Sequence, residues 1–313
     1  MGLFTDIEHL PLFKNAVITI GSFDGVHAGH KKILQQVVTQ ADKINGTPML
    51  ITFYPHPSEV LKNRSTPLEL LNTREEKYAI IFAAGIKHII EVPFNERFSK
   101  LSATDYIEEF LVKGFQPHTI ITGYDHKFGN NREGDFELLR ALSEKHSYSV
   151  LEIPAQMIHD AAISSTRIRK ALKEGDVQTA KDYLGYSYSF KGEVIRGKQL
   201  GRTLGFPTAN LQLDDEKKLV PANGVYAVRV AYGQLQLNAV MNIGIRPTVD
   251  GSNRVIEIHV FDFNEDIYGK VLKVTLEKYL RNEKKFENLE ALKTQIARDK
   301  EAARIFLEQL SPS

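Results

Sequence analysis

The residues Gly21-Ser-Phe-Asp-Gly-Val-His-Ala-Gly-His30 bring two imidazoles and three glycines into one short stretch. The stretch follows the apolar run Ala16–Ile20 and leads into a helix expected over Lys31–Lys43. There Ile33, Leu34, Val37, Val38, Ala41 and Ile44 recur at helical spacing. A strand-to-helix turn of this composition suits phosphate. Gly21, Gly25 and Gly29 permit tight turns and close backbone approach. The helix start offers unpaired N–H groups and the positive end of its dipole. His27 and His30 can both donate hydrogen bonds to a phosphoryl group, and Asp24 can hold the loop or one of the histidines. No G-x-G-x-x-G follows the run, which argues against a dinucleotide fingerprint. A second donor-rich helix start is Ile163-Ser-Ser-Thr-Arg-Ile-Arg169. Ser164, Ser165 and Thr166 can cap that helix, while Arg167 and Arg169 can grip an oxyanion. On one sheet edge the two helix starts would make a triphosphate site. Thr52-Phe-Tyr-Pro-His-Pro57 and Gly123-Tyr-Asp-His-Lys-Phe-Gly129 read either as further pieces of that site or as loop punctuation.

A different chemistry is spaced along the second part of the chain. Gly197, Gly201 and Gly205 with Lys198 and Arg202 describe a basic loop able to fold over phosphates, without the Walker A pattern. Beyond it Thr208 and Asn210 lie two apart, so in extended chain both side chains face the same way. A hydroxyl and an amide carbonyl are hard oxygen donors, suited to Mg²⁺ held mainly by nucleotide phosphates. The alternative is a turn in which Pro207, Thr208 and Asn210 only satisfy backbone groups. In the run Arg254–Phe263, Val255, Glu257, His259 and Phe261 share one face, and Ile256, Ile258 and Val260 the other. A carboxylate in so apolar a strand needs a partner or a function. Glu257 either accepts a proton from an alcohol or pairs with a neighbouring arginine.

These loops need elements to hold them. Residues 16–155 alternate apolar strands with amphipathic helices, the strands being Ala16–Ile20, Met49–Phe53, His88–Val92, Thr119–Thr122 and Ser149–Ile153. One helix opens on a capping box, Thr73-Arg-Glu-Glu76. Continuous apolar strands separated by helices imply a parallel sheet buried on both faces. Ligands then sit beyond the carboxyl ends of its strands. Ile163–Leu184 reads as two short helices broken at Gly175-Asp176. From Phe190 the pattern turns to strands, at Gly192–Arg196, Tyr226–Tyr232, Leu235–Asn242, Arg254–Phe263 and Val271–Tyr279. Turn signals between them suit antiparallel pairing in a small barrel or sandwich. The tail Leu289–Leu310 carries a helical stripe that would pack on it. The change of character near residues 184–188 divides the chain into domains 1–186 and 187–313.

Composition sets the outer bounds. The 313 residues hold 40 Lys+Arg against 39 Asp+Glu, a net charge of +1. That balance argues against a protein that blankets nucleic acid or an anionic membrane. There is no cysteine, hence no disulfide framework, no thiolate nucleophile and no cysteine-bound zinc. No apolar run approaches the ~20 residues that span a bilayer, and the first residues lack a signal-peptide layout. The expectation is a soluble cytoplasmic protein with small-molecule partners, no nucleic acid and no membrane.

The Gly21–His30 and Ile163–Thr166 segments resemble the signatures of the nucleotidyltransferase superfamily. With Pro55-His56-Pro57 they are similar to the adenylyltransferase domain of bacterial bifunctional riboflavin kinase/FAD synthetases. The resemblance implies a Rossmann-like α/β domain that transfers AMP from ATP to the phosphate of FMN, releasing pyrophosphate. It implies that His27 and His30 contact ATP phosphates and that Ser164, Ser165, Thr166 and Arg169 hold the β/γ end. Phe23 belongs to the same nucleotide loop. Gly123, Asp125, Phe128 and Gly129 match the family's G-x-D-F-x-F-G pattern, with His126 where phenylalanine is usual. Tyr54 likewise stands where an acidic residue often precedes Pro-His-Pro. The segments Gly205-Phe-Pro-Thr-Ala-Asn210, Asn242–Thr248, Glu257–Phe263, Asp266–Gly269 and Arg281–Phe286 resemble riboflavin kinase, in order. That likeness implies a six-stranded Greek-key barrel with a C-terminal helix, where riboflavin becomes FMN. ATP and Mg²⁺ would lie near Thr208 and Asn210, and Glu257 would activate the 5′-hydroxyl. Arg281 and Phe286 would contact the flavin.

Overall fold

The structure, a computed structural model, describes residues 1–61, 68–154, 163–197, 201, 204–248 and 251–310. Lys198 and Arg202 of the expected phosphate loop lie outside the described residues. The chain forms two compact units, Met1–Ser165 and Thr166–Ser313.

The first unit is built on a six-stranded parallel sheet. Its strands are β1 (Gly2–Phe4), β2 (Ala16–Ile20), β3 (Thr47–Tyr54), β4 (His88–Pro93), β5 (Thr119–Gly123) and β6 (Ser149–Ile153), in the order β1-β4-β3-β2-β5-β6. Every residue of β2 is buried, as expected for a strand covered on both faces. Ala16, Ile18 and Ile20 point into one core with Tyr106, Ile107 and Leu111. Val17 belongs to the other, where α1 (Ala28–Lys43) lays down Leu34, Val37 and Ala41. The apolar stripe read from the sequence is that buried face. Two features differ from the sequence reading. The edge strand β1 has no counterpart in it, being three residues long with Leu3 exposed. Helix α1 begins at Ala28 rather than Lys31, because the His27 side chain caps it by accepting from the His30 backbone N–H. Helix α2 (Pro57–Val60) is a single turn, and α3 (Arg74–Ala83) opens on the expected capping box. Ahead of β5, residues 103–115 are helical with π-helical turns over Tyr106–Val112. Helix α4 (Phe136–His146) precedes β6.

Sequence order reverses across the sheet between β2 and β5, since β3 lies on one side of β2 and β5 on the other. Such a switch point leaves a crevice beyond the carboxyl ends of both strands. The loops that leave there begin at Gly21 and Gly123, within the segments singled out for their chemistry.

Helix α5 (Ser165–Glu174), all but its first residue in the second unit, and α6 (Val177–Leu184) are separated at Gly175-Asp176 as expected. Here the compact units divide the chain differently from the expected boundary at residue 186. The physical reason is that these helices pack against the barrel strands and their connections. The Ala222 N–H donates to the Leu172 carbonyl at 2.9 Å, Gly175 abuts the Tyr279 ring, and Lys181 pairs with Glu277 at 3.3 Å. The barrel itself is closed and antiparallel, in the order β10-β11-β8-β7-β12-β9. Its strands are β7 (Ser189–Ile195), β8 (Ala209–Leu213), β9 (Gly224–Tyr232), β10 (Leu235–Thr248), β11 (Gly251–Val260) and β12 (Val271–Arg281). Strands β9 to β11 run in sequence as hairpins and β8 lies beside β11, a Greek-key arrangement. The inner face carries Ile256, Ile258, Met241, Ile243, Tyr226 and Val228, all buried. Outside, α7 (Leu289–Gln309) covers Val225, Ala227, Val240 and Phe261 with Ala303 and Leu307.

Candidate active sites

The Gly21–His30 loop is shaped by residues in unusual backbone conformations. Phe23 (φ 48°), Gly25 (φ 83°) and Val26 (φ 35°) all lie in the left-handed region. That region disfavours a β-branched residue in particular, and such strain concentrates at functional loops. Gly21 leaves room for the Phe23 ring, which would meet a Cβ there at 3.0 Å. The loop brings the His27 and His30 rings face to face, with centroids 3.6 Å apart and planes 15° from parallel. Phe23 covers His30 from the other side at 4.6 Å. Gly29 is buried inside α1. Burial lowers the His27 pKa to about 4 against a smaller opposing pull from Asp125. Burial, then His27 and Lys77, holds His30 well below the ordinary histidine range. Both rings are therefore neutral at pH 7. Because His27 Nδ1 accepts the His30 N–H at 3.3 Å, the His27 proton resides on Nε2. His30 Nδ1 is buried without a hydrogen-bond partner among the described residues. The pair thus offers neutral imidazole nitrogens to a ligand.

Asp24 does not face this opening. It is buried, and its Oδ1 accepts from the backbone N–H groups of Leu71 (3.0 Å) and Asn72 (3.5 Å). The Ser165 hydroxyl donates to the Asp24 carbonyl at 2.8 Å. Asp24 therefore holds the loop, the first of the two roles its sequence position allowed. Ser164, the preceding residue in the chain, is half-buried; Thr166 is exposed and Arg169 half-buried, both on α5. Pro55 follows a cis peptide bond, and His56 caps α2 at Pro57, its Nδ1 accepting the Ser58 N–H at 3.2 Å. Gly123 ends β5 and Asp125 is exposed just beyond it. Phe128 is buried and stacks on Tyr106 at 4.9 Å, so it supports its loop from beneath rather than facing solvent. Gly129 (φ 73°) lies against the Ala103 backbone, where a Cβ would clash.

One charged group near the carboxyl ends of β2 and β3 escapes the sequence reading. The Lys77 ammonium, from α3, donates to the Ser22 carbonyl and to the Thr52 hydroxyl, each at 3.3 Å. A lysine on a helix otherwise read for its capping box carries no local signal of such a position. Neighbouring Glu91 is a buried carboxylate that pairs with Arg74 and accepts from the Tyr78 hydroxyl.

In the barrel, strand register assembles the site. Asn210 on β8 lies directly opposite Glu257 on β11, and Glu257 opposite Asn242 on β10. Asn242 faces Val225 on β9, which faces Arg281 on β12. Directly opposed residues point to the same side of a sheet, so Asn210, Glu257 and Asn242 form one row on the outer face. Thr208 comes two residues before Asn210 at the start of β8, and Asn210 is buried. Gly197 fits against the Asn210 amide, which a Cβ at that position would overlap. Gly201 packs likewise on the Phe206 carbonyl and near the Thr208 hydroxyl, whereas Gly205 (φ 85°) stands in open space and Pro207 is exposed. Gly197 and Gly201 fit the Pro-Thr-Ala-Asn segment closely, a role the sequence does not suggest.

Glu257 has the arginine partner named as its alternative: Arg246 Nη2 donates to its Oε1 at 2.6 Å. A cavity of about 260 Å³ opens beside the pair, lined by Gly201, Thr208, His259, Arg281 and Phe286 and floored by Leu292 and Ile296 of α7. Arg281 is half spent on structure. Its Nε and Nη2 donate to the buried Asp299 carboxylate at 2.9 and 2.6 Å, and its guanidinium lies 5.9 Å from the Phe286 ring. A second cavity of about 330 Å³ adjoins Pro207, Thr208, Glu265, Asp266 and Tyr268. Thr208 lines both. Asn242, Arg246 and His259, which lie within segments that resemble riboflavin kinase but carry no individual role in the sequence reading, also line the first cavity, as does Asp299, which no sequence signal points to. The strand period places His259 only on a face; in the structure its ring meets the Pro207 carbonyl through Nδ1 at 2.8 Å.

Comparison with known proteins bears on both units. A FAD synthetase family profile matches residues 11–167, and a riboflavin kinase profile matches residues 184–307. The bifunctional riboflavin kinase/FMN adenylyltransferase of Escherichia coli (strain K12) is 38% identical over 96% of this chain and 95% of its own length. The protein of the same description from Haemophilus influenzae is 36% identical over 94% of this chain and 95% of its own. A solved structure described as a macrolide-efflux protein from Streptococcus pneumoniae superposes with a TM-score of 0.87 at 29% identity. It covers 96% of this chain and 98% of the pneumococcal one. Among the described residues of the present chain, no helix is long and apolar enough to cross a membrane. The chain belongs to the bifunctional riboflavin kinase/FMN adenylyltransferase family and is an enzyme that phosphorylates riboflavin to FMN and adenylylates FMN to FAD.

Proposed function

We propose how the residues divide the two reactions. In the barrel, Glu257 accepts the proton of the riboflavin 5′-hydroxyl as that oxygen attacks the γ-phosphorus of ATP and ADP leaves. The observation that carries this is the cross-strand placement of Glu257 beside Asn210, next to a cavity that also contains Thr208. Arg246 holds one carboxylate oxygen and orients the other. Arg281 and Phe286 flank the flavin; Pro207, Gly197, Gly201 and Gly205 shape the nucleotide side, with Lys198 and Arg202 assigned there on the sequence pattern. Mg²⁺ fits the donors present. Thr208 and Asn210 supply neutral hard oxygens, and no group of three His, Cys, Asp or Glu suited to a protein-bound metal occurs among the described residues. The ion would be held by these two residues with the phosphates, and when bound it would neutralise polyphosphate charge.

In the first unit, an FMN phosphate oxygen attacks the α-phosphorus of the second ATP and pyrophosphate leaves. Positioning and charge stabilisation supply the catalysis, with no covalent intermediate. His27 and His30 donate to the phosphates, on a loop formed by Gly21, Phe23, Gly25 and Gly29 and held by Asp24. Ser164 and Ser165 support the phosphate end; Thr166 and Arg169 are assigned there by the family pattern alone, which is also the reason to keep 1–186 and 187–313 as the functional division. Pro55, His56, Pro57, Gly123 and Asp125 border the acceptor, and Phe128 supports them. We place the reactions in the cytoplasm, where ATP is available to both. The test is to incubate the purified chain with riboflavin, ATP and Mg²⁺ and separate the flavins by chromatography. FMN should appear first and FAD after it; an absence of both nucleotides would overturn the reading.

A further inference from the structure

We propose that Lys77 is a positioning residue of the adenylyltransfer site, clamping the loop after β2 to the end of β3 and holding a fixed positive charge beside His30. The inference rests on the placement of FMN adenylyltransfer in the first unit. Three observations lead to it. First, the ammonium donates to the Ser22 carbonyl in the loop after β2 and to the Thr52 hydroxyl near the end of β3, bracing a contact in which that hydroxyl itself donates to the Ser22 carbonyl at 3.5 Å. Thr52 is fully buried and leads directly into Pro55-His56-Pro57, so one cation ties the phosphate loop to the acceptor loop. Second, the two bonds leave one ammonium N–H without a hydrogen-bond partner among the described residues, beside the carboxyl ends of β2 and β3. Third, the charge is kept although burial opposes it. Burial lowers the Lys77 pKa to about 8, with Arg74 acting in the same direction and Asp24 and Glu91 opposing.

The groups around the ammonium are thus Asp24 from the β2 loop, Glu91 from β4, Arg74 and the Tyr78 ring from its own helix (the ring at 5.3 Å), and His30 from α1. Glu91 is already engaged by Arg74 and Tyr78. Asp24 is engaged by the Leu71 and Asn72 N–H groups. Neither carboxylate has Lys77 as a hydrogen-bonded partner; both act on the ammonium only at a distance, favouring its charged form. Its effect on His30 is to disfavour the imidazolium, in the same direction as burial and the stacked His27 ring.

The test compares Lys77→Met, Lys77→Arg and Thr52→Val in the full chain, each assayed for both reactions. Lys77→Met should lower kcat for FMN adenylylation on the order of 10²-fold, the scale of losing one preorganised donor, with riboflavin phosphorylation within about twofold of wild type. Lys77→Arg should recover at least roughly a tenth of the wild-type rate. NMR titration of the histidine rings should show His30 protonating at higher pH in Lys77→Met and unmoved in Lys77→Arg, a change that simple loosening of the fold would not reproduce selectively. If Lys77→Met fails to fold, Thr52→Val decides: a roughly tenfold loss of adenylylation supports the clamp, and an unchanged rate overturns it. A Lys77→Met enzyme that adenylylates FMN within about threefold of wild type, or an unmoved His30 titration, overturns the proposal. Wild-type protein that makes FMN and no FAD would instead overturn the assignment of adenylyltransfer on which it rests.

Discussion

His27 and His30 form a pair because the loop stacks them, and burial is the main cause of their neutral state. Adjacent imidazolium rings at 3.6 Å would repel, and burial already favours the neutral forms. In the barrel, Glu257 stands in a different setting, half-buried with Arg246 at 2.6 Å. With the roles proposed for them, the two activities should be separable by mutation. His30→Ala should reduce FAD formation on the order of 10²–10³-fold while FMN accumulates from riboflavin. Glu257→Gln should abolish FMN formation yet leave added FMN convertible to FAD. Chromatography of both reaction mixtures checks this, and a parallel loss of both activities in folded protein would contradict it. The histidines and Glu257 stand out as candidates by residue type and spacing. The place of Asp24 is not: its carboxylate meets the N–H groups of Leu71 and Asn72, distant in sequence, and nothing local to Asp24 announces them.

At the scale of elements, the kinase site is a product of register. A strand contributes alternate side chains to one face, which is why Glu257 and His259 can be paired from the sequence. Which residues oppose them is set by hairpins and by the Greek-key return of β8 to β11. That return puts Asn210 beside Glu257, and the β10–β11 hairpin adds Asn242. Ahead of β8, Gly197 and Gly201 then pack closely on Asn210 and near Thr208. Gly197→Ala would drive a methyl group into the Asn210 amide and displace it. The expected result is at least a roughly tenfold rise in the KM for ATP in riboflavin phosphorylation, with adenylylation of added FMN unchanged; steady-state kinetics of the two half-reactions measures it. The capping box at Thr73 and the stripe on α1 are legible because helix signals are local. Strand β8 is not legible as a strand because only its neighbours β7 and β11 make it one.

For the whole molecule, the buried neutral histidines tie stability to pH. His27 and His126 have pKa values lowered to about 4, chiefly by burial, and burial also lowers His30, His88 and His259. Each binds a proton in the unfolded chain near pH 6.5 that it does not bind when folded, so their stabilisation is complete above that pH and is lost as pH falls through 6.5 toward 4. A histidine shifted as far as His126 should lose on the order of 1–2 kcal/mol of stability between about pH 7.5 and pH 5. Each kcal/mol corresponds to about 2–4 °C in the melting temperature of a unit this size. Thermal melts across that range should fall steadily, and His126→Phe, which removes an imidazole whose Nε2 is buried without a partner among the described residues, should flatten the decline. An equally steep decline in that variant would count against the account. Two domains, a parallel sheet preceding an antiparallel barrel, two separate phosphate chemistries and the independence of both from cysteine can all be read along the chain. Hydrophobic period, glycine placement and motif spacing are properties of neighbouring residues. The clamp made by Lys77, the anchoring of Asp24, the pairing of Arg246 with Glu257 and the packing of α5 and α6 on the barrel require the folded chain. Each depends on burial and on contacts between segments distant in sequence, and those exist only once the sheet and barrel have closed.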